Sequence, residues 1–186
     1  NYTTQENLAG KAFDYNYATD SEERDDAPYA TEDGMLYHFE DAANILREKG
    51  VEFSPDAITA PYINVGDPKL GYRMISSPNE ILAVRIDDDN VTFATVYHLT
   101  VDGWRVTPYH ENARNAVVFL GDSYTFGSGL NDEESFPYKT GQILGNNYQT
   151  FNFGVNGWGT HQVLTMIEDG WLDKIAEIYD TLYVFY

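Results

Sequence analysis

Ala116-Val117-Val118-Phe119-Leu120-Gly121-Asp122-Ser123-Tyr124-Thr125-Phe126-Gly127 decides how the chain is read. Its first five residues form a short, unbroken apolar run rich in β-branched side chains. Such a run marks a strand covered on both faces, as in a parallel sheet, whereas a strand with one wet face alternates. A serine just beyond the carboxyl end of a central parallel strand stands where open α/β sheets place their sites. Glycines on both sides let the chain turn sharply and let a substrate approach the hydroxyl. Taken alone, the same residues also describe an ordinary turn from strand to helix.

Downstream, Ser135 is placed as an N-cap, Pro137 falls in the first turn, and a helix is expected to about Leu144. Tyr148 to Phe153 reads as a second strand. Thr160, a further N-cap candidate, opens a helix running to about Ile178 with a break near Gly170 to Asp173, and Thr181 to Tyr186 reads as a third strand. The order βαβαβ argues for a parallel α/β sheet with right-handed crossovers. Doubly wound domains usually add further units, so the expectation is the front part of such a sheet.

Upstream the texture differs, and the division is expected at residues 1–110 and 111–186. From Asn1 to about Ala30 the sequence lacks periodicity and reads as an acidic arm. Leu36, Phe39, Ala43 and Leu46 then recur at helical spacing, with Asp33 as N-cap and Gly50 as terminator. Val91 to Val101 alternates as a strand does, with Val91, Phe93, Thr95, Tyr97, Leu99 and Val101 on one side. Asp87 to Asn90 separates it from Ile81 to Ile86, and Asp102-Gly103 turns it toward Trp104 to Thr107. A small antiparallel meander is therefore expected within a β-rich subdomain.

The 186 residues carry 11 Lys plus Arg against 30 Asp plus Glu, a formal charge of −19. That field repels phosphate backbones and anionic headgroups, so neither nucleic acid nor a membrane surface is expected as a partner. No apolar window is long enough for a membrane span. The absence of Cys removes disulfides, thiolate nucleophiles and Cys-based metal sites. No cofactor or metal is expected: no two of the four histidines have the i, i+4 spacing of a helical metal site. Asp87, Asp88 and Asp89 lack the spacing of an EF-hand.

Gly121-Asp122-Ser123-Tyr124-Thr125-Phe126-Gly127 resembles the first sequence block of the GDSL/SGNH hydrolases, and Asn152-Phe153-Gly154-Val155-Asn156-Gly157 resembles the second. The α/β-hydrolase pattern GxSxG does not fit, because Thr125 stands where its second glycine belongs. The resemblance covers about residues 115 to 186. It extends more loosely to Asp67, Gly71, Tyr72 and Arg73, which resemble the β-rich leader of some bacterial members. It implies a flavodoxin-like parallel sheet, a nucleophilic role for Ser123, and an oxyanion donor at the backbone N–H of Gly157, with Gly154 as rival. It further implies a serine esterase that removes a short acyl group from a carbohydrate or similar ester. A polysaccharide O-acetyltransferase using the same serine is the alternative within enzymology, and a non-catalytic binding module is the alternative outside it. The third block, with its Asn, and the last block, with its Asp and His, are not found before Tyr186. The expectation is therefore half an active site on a truncated chain, with the open sheet edge free to pair with missing residues or another chain.

Asp122, Tyr124, Trp158 and His161 are the expected substrate-side residues. Asp122 is also suited to hold the turn by Asx-type hydrogen bonds. His161, early in its helix, is a poor general base, because a helix N-terminus disfavours the imidazolium that a base must become. His38, His98 and His110 are expected at surface or satisfied positions. Tyr124, Phe126, Phe153 and Trp158 suit a sugar ring, although packing alone also accounts for aromatics. An extracytoplasmic location follows only from the family resemblance, the absent Cys and the acidic surface.

Overall fold

A computed structural model describes residues 34–36, 38–60, 63–76 and 80–186. The acidic arm and Asp33 lie outside these residues. Helix α1 (Phe39–Glu48) is shorter than its periodicity suggests: His38 occupies the N-cap, and Leu36 lies before the helix, its N–H donating to Val84 O at 3.0 Å. Gly50 ends the helix as expected, in left-handed geometry with φ 74°.

Strands β1 (Ile58–Thr59), β2 (Asn64–Asp67), β3 (Gly71–Met74), β4 (Glu80–Asp87) and β5 (Asn90–His98) follow. The β4–β5 hairpin turns on Asp88 and Asp89, both at positive φ (48° and 61°), the geometry whose twist suits two-residue hairpin loops. The expected meander is corrected in two respects. β1 pairs parallel to β4, giving a mixed sheet β1-β4-β5, while β2 and β3 form a separate antiparallel hairpin. Trp104 to Thr107 does not form a strand; Arg105 contributes only single bridges, to Leu99 and to Asn152.

The second half holds β6 (Asn115–Gly121), α2 (Ser123–Phe126), α3 (Phe136–Leu144), β7 (Tyr148–Gly154), α4 (Thr160–Glu168), α5 (Asp173–Ile178) and β8 (Thr181–Phe185). These form a mixed α/β unit whose parallel sheet has the order β7-β6-β8. β6 is therefore central, and Ala116 to Leu120 are buried throughout, as their unbroken apolar run requires. Ser135 is the N-cap of α3, although its hydroxyl donates to Asp132 O rather than capping the helix. Thr160 is not a cap: it is the first residue of α4, and Gly159 takes the N-cap position.

Residue 110, where a boundary is expected, lies between the two sheets of the first half and the β7-β6-β8 sheet, and one apolar cluster extends across it. Leu82 and Val84 face one side of β4 and pack with Ala42, Ala43 and Leu46 of α1. Ile81 and Ala83 face the other side and join Tyr97 and Leu99 in a cluster continuous with Val118, Leu120, Phe126, Phe153 and Met166 of the α/β unit. Pleating alone sends successive residues of β4 to different partners, which is why Ile81 to Val84 is apolar without interruption.

Candidate functional site

In the order β7-β6-β8 the chain winds from β6 to one side and then returns to the other, so the winding direction reverses at β6. Open α/β sheets bind ligands outside the carboxyl ends of their strands at such a reversal. A cavity of about 240 Å³ lies there, lined by Leu120, Gly121, Asp122, Thr125, Trp158 and Tyr186. It is thus built from the ends of β6 and β8 and from the loop after β7.

Ser123 is the first residue of α2, directly after β6. Asp122 is its N-cap, and the Asp122 carboxylate accepts the Tyr124 N–H at 2.9 Å. This is the Asx-type bond expected of it, and Asp122 also lines the cavity. The Ser123 side chain is partly exposed and makes no hydrogen bond among the described residues. Gly127, with φ 82°, ends this single turn by donating its N–H to Ser123 O at 2.9 Å.

The loop after β7 lies against this turn. Val155 N–H donates to Gly121 O at 3.0 Å, and Ser128 Oγ donates to Asn156 Oδ1 at 2.7 Å. Gly154 is the point of closest approach: a Cβ there would stand 2.2 Å from Phe126 N and 2.7 Å from Thr125 C, both backbone atoms. Its own N–H is buried and donates to Asn152 Oδ1 at 3.0 Å. Of the two glycines expected to contribute a donor, Gly154 is therefore already engaged. Gly157 is exposed, has φ 78°, and its N–H meets no acceptor among the described residues.

The expected substrate-side residues divide. Trp158 lines the cavity but is only 4% exposed, with its indole N–H donating to Tyr72 O at 3.1 Å. Phe126 and Phe153 are buried in the core. Tyr124 projects outward, 89% exposed, and does not line the cavity. His161 is exposed in the first turn of α4 and makes no side-chain hydrogen bond among the described residues. Tyr186, not singled out by sequence reasoning, both lines the cavity and meets Thr160 Oγ1 through its hydroxyl at 2.6 Å. Among the described residues no cluster of His, Asp or Glu is arranged for a metal ion. Asp87 is instead held by Arg85 and by the Thr92 hydroxyl, whose hydrogen bond is the main cause of its depressed pKa.

Sequence reasoning also missed the network that holds the loop after Ser123. Arg105, with a fully buried side chain, donates from Nη1 to Phe126 O and Gly127 O (2.8 and 2.6 Å) and from Nη2 to Leu130 O (2.6 Å). Its Nε donates to Asp132 Oδ1 at 3.0 Å, and its guanidinium carbon lies 4.4 Å from the Tyr97 ring centroid. The other Asp132 oxygen meets His98 Nδ1 at 2.6 Å. That hydrogen bond raises the His98 pKa, outweighing the opposing effect of burial. Tyr97 OH accepts Gly129 N–H at 2.7 Å. The only local signal was an Arg between the apolar residues Trp104 and Val106.

Among the described residues no helix is long and apolar enough to cross a membrane. No family model, curated protein or solved structure matches the chain.

Proposed function

We propose that the protein is a serine acyl hydrolase of the GDSL/SGNH type, its parallel sheet being the front of a flavodoxin-like one, and that Ser123 is acylated by a short-chain ester. One observation carries the reading: Ser123 starts the turn after the central strand, beside a cavity at the winding reversal, with its hydroxyl uncommitted. Ser123 Oγ would attack the ester carbonyl while its proton passes to a base. The resulting oxyanion would be met by backbone N–H groups of Ser123 and Gly157, and the alcohol would leave before water releases the acyl group. Each such donor is typically worth roughly 10²- to 10³-fold in rate.

Among the described residues no imidazole hydrogen-bonds to Ser123, and His98 is committed to Asp132. Reaction with a fluorophosphonate, mapped by peptide mass spectrometry, tests the proposal. An adduct on Ser123 that vanishes in Ser123→Ala is expected; an unmodified Ser123 at saturating probe refutes it. Acceptor dependence then separates a hydrolase from an O-acetyltransferase, since a transferase turns over faster with sugar than with water.

A further inference from the structure

Asp67, Gly71, Tyr72 and Arg73 belong to a hairpin far from Ser123 in sequence, yet the hairpin reaches the end of α4 at one point and the loop after β7 at two. Lys69 Nζ pairs with Asp169 at 2.8 Å, Trp158 Nε1 donates to Tyr72 O at 3.1 Å, and Tyr72 OH donates to Asn156 O at 2.8 Å. The hairpin is itself braced, because Asp67 Oδ1 accepts the N–H groups of Lys69 and Leu70, both at 2.9 Å.

The third contact has a particular chemistry. Asn156 C=O and Gly157 N–H are the two ends of one planar trans peptide, so a group that pins the carbonyl fixes the direction of the N–H. A hydrogen bond to the carbonyl also polarises the peptide and makes its N–H a better donor. The phenol occupies the space beside Gly157 as well: a Cβ there would stand 2.7 Å from the Tyr72 oxygen. A residue with φ 78° and the tyrosine hydroxyl in that space is left with glycine as the fitting choice. Burial raises the Tyr72 pKa, so the hydroxyl keeps its proton and remains a donor through the neutral range.

We infer that Tyr72 is a positioning residue for the oxyanion donor, its hydroxyl orienting the Asn156–Gly157 peptide from the leader hairpin. The inference rests on the serine reading above and assigns the hairpin a part in it. The hairpin thereby becomes half of the device that aims Gly157.

Tyr72→Phe is the test, because it deletes one oxygen while keeping the ring and the backbone carbonyl that holds Trp158. Two readouts are taken on the full chain. The first is the ¹⁵N–¹H resonance of Gly157, whose nitrogen shift responds to hydrogen bonding at the preceding carbonyl. The second is the saturation kinetics of fluorophosphonate labelling at Ser123. The expected result is a displaced Gly157 resonance with an unchanged fold by circular dichroism. The maximal labelling rate should fall roughly tenfold at unchanged probe affinity, short of the 10²- to 10³-fold for outright loss of a donor. A loss of affinity at unchanged maximal rate would overturn the inference, as would wild-type labelling kinetics in Tyr72→Phe, and either leaves the serine reading intact. A wild-type chain that takes no label at Ser123 removes both.

Discussion

Replacing Arg105 with Met should cost about 4 kcal/mol or more of folding stability, and the structure indicates where that cost arises. The side chain is 0% exposed and donates four hydrogen bonds, so the substitution keeps the packing volume but strips four acceptors. Asp132, with its side chain 11% exposed, loses its cation; breaking one side of a buried ion pair costs about 3–5 kcal/mol. The carbonyls are not equal. Phe126 O keeps Asn152 Nδ2 at 3.3 Å, and Leu130 O is only partly buried and faces Thr95 Oγ1 at 3.5 Å. Gly127 O keeps the Leu130 N–H at 3.1 Å, so most of the cost falls on the Asp132 carboxylate. Against a typical total of about 5–15 kcal/mol, Arg105→Met leaves a chain near the edge of folding. Arg105→Lys retains the charge for Asp132 but replaces a planar fork with a point donor that cannot span residues 126 to 130, and should cost about 2 kcal/mol. Urea unfolding followed by circular dichroism at pH 8, with the slopes compared to exclude a changed unfolded state, measures both. Arg105→Met within about 1 kcal/mol of wild type, or Arg105→Lys equal to it, would refute the reasoning.

Gly154→Ala should destabilise by about 2 kcal/mol and suppress labelling at Ser123, because its methyl meets the backbone of α2, which cannot rotate away. Gly159→Ala, whose methyl would find its nearest neighbour at 3.4 Å, should stay within about 0.5 kcal/mol, and paired melts of the two variants check the contrast. The raised His98 pKa makes a signed prediction. The protonated ring is favoured in the folded state, so its stabilisation is complete below the ordinary value of 6.5 and is lost as pH rises through the higher folded-state value. The stability gap between wild type and His98→Ala should therefore narrow from pH 6 to pH 9. The change should be under about 1 kcal/mol, because the side chain is 48% exposed. A gap that widens over that range contradicts the assignment.

The parts of the fold legible in the sequence are those governed by neighbours along the chain. Ala116 to Leu120 announces its double burial through composition alone, and the alternation from Val91 gives β5 its two faces as far as His98, although Val101, expected on the same side, is exposed in the turn beyond it. Asp87 to Asn90 marks the hairpin because Asp tolerates positive φ. The Gly-Asp-Ser turn is legible for the same local reasons. The parallel partnership of β1 with β4 is not, since a two-residue strand carries no period. Arg105 was invisible as a clamp because its acceptors are backbone carbonyls, which every residue owns and no sequence distinguishes. Tyr72 is legible in the sequence only through the leader resemblance, since its acceptor lies 84 positions away.

That separation has a kinetic meaning. Contacts between Tyr72 and the Asn156–Trp158 loop close spans of 84 and 86 residues, whereas the turn holding Ser123 closes within four. Long closures are slow, so the serine turn and the β4–β5 hairpin can form well before the loop that faces them is aimed. During synthesis at about 5–20 residues per second, the leader hairpin emerges roughly 4 to 17 seconds ahead of the loop it clamps. The newborn chain therefore passes through an interval in which the turn at Ser123 can already be formed while the Asn156–Gly157 peptide has not yet met Tyr72.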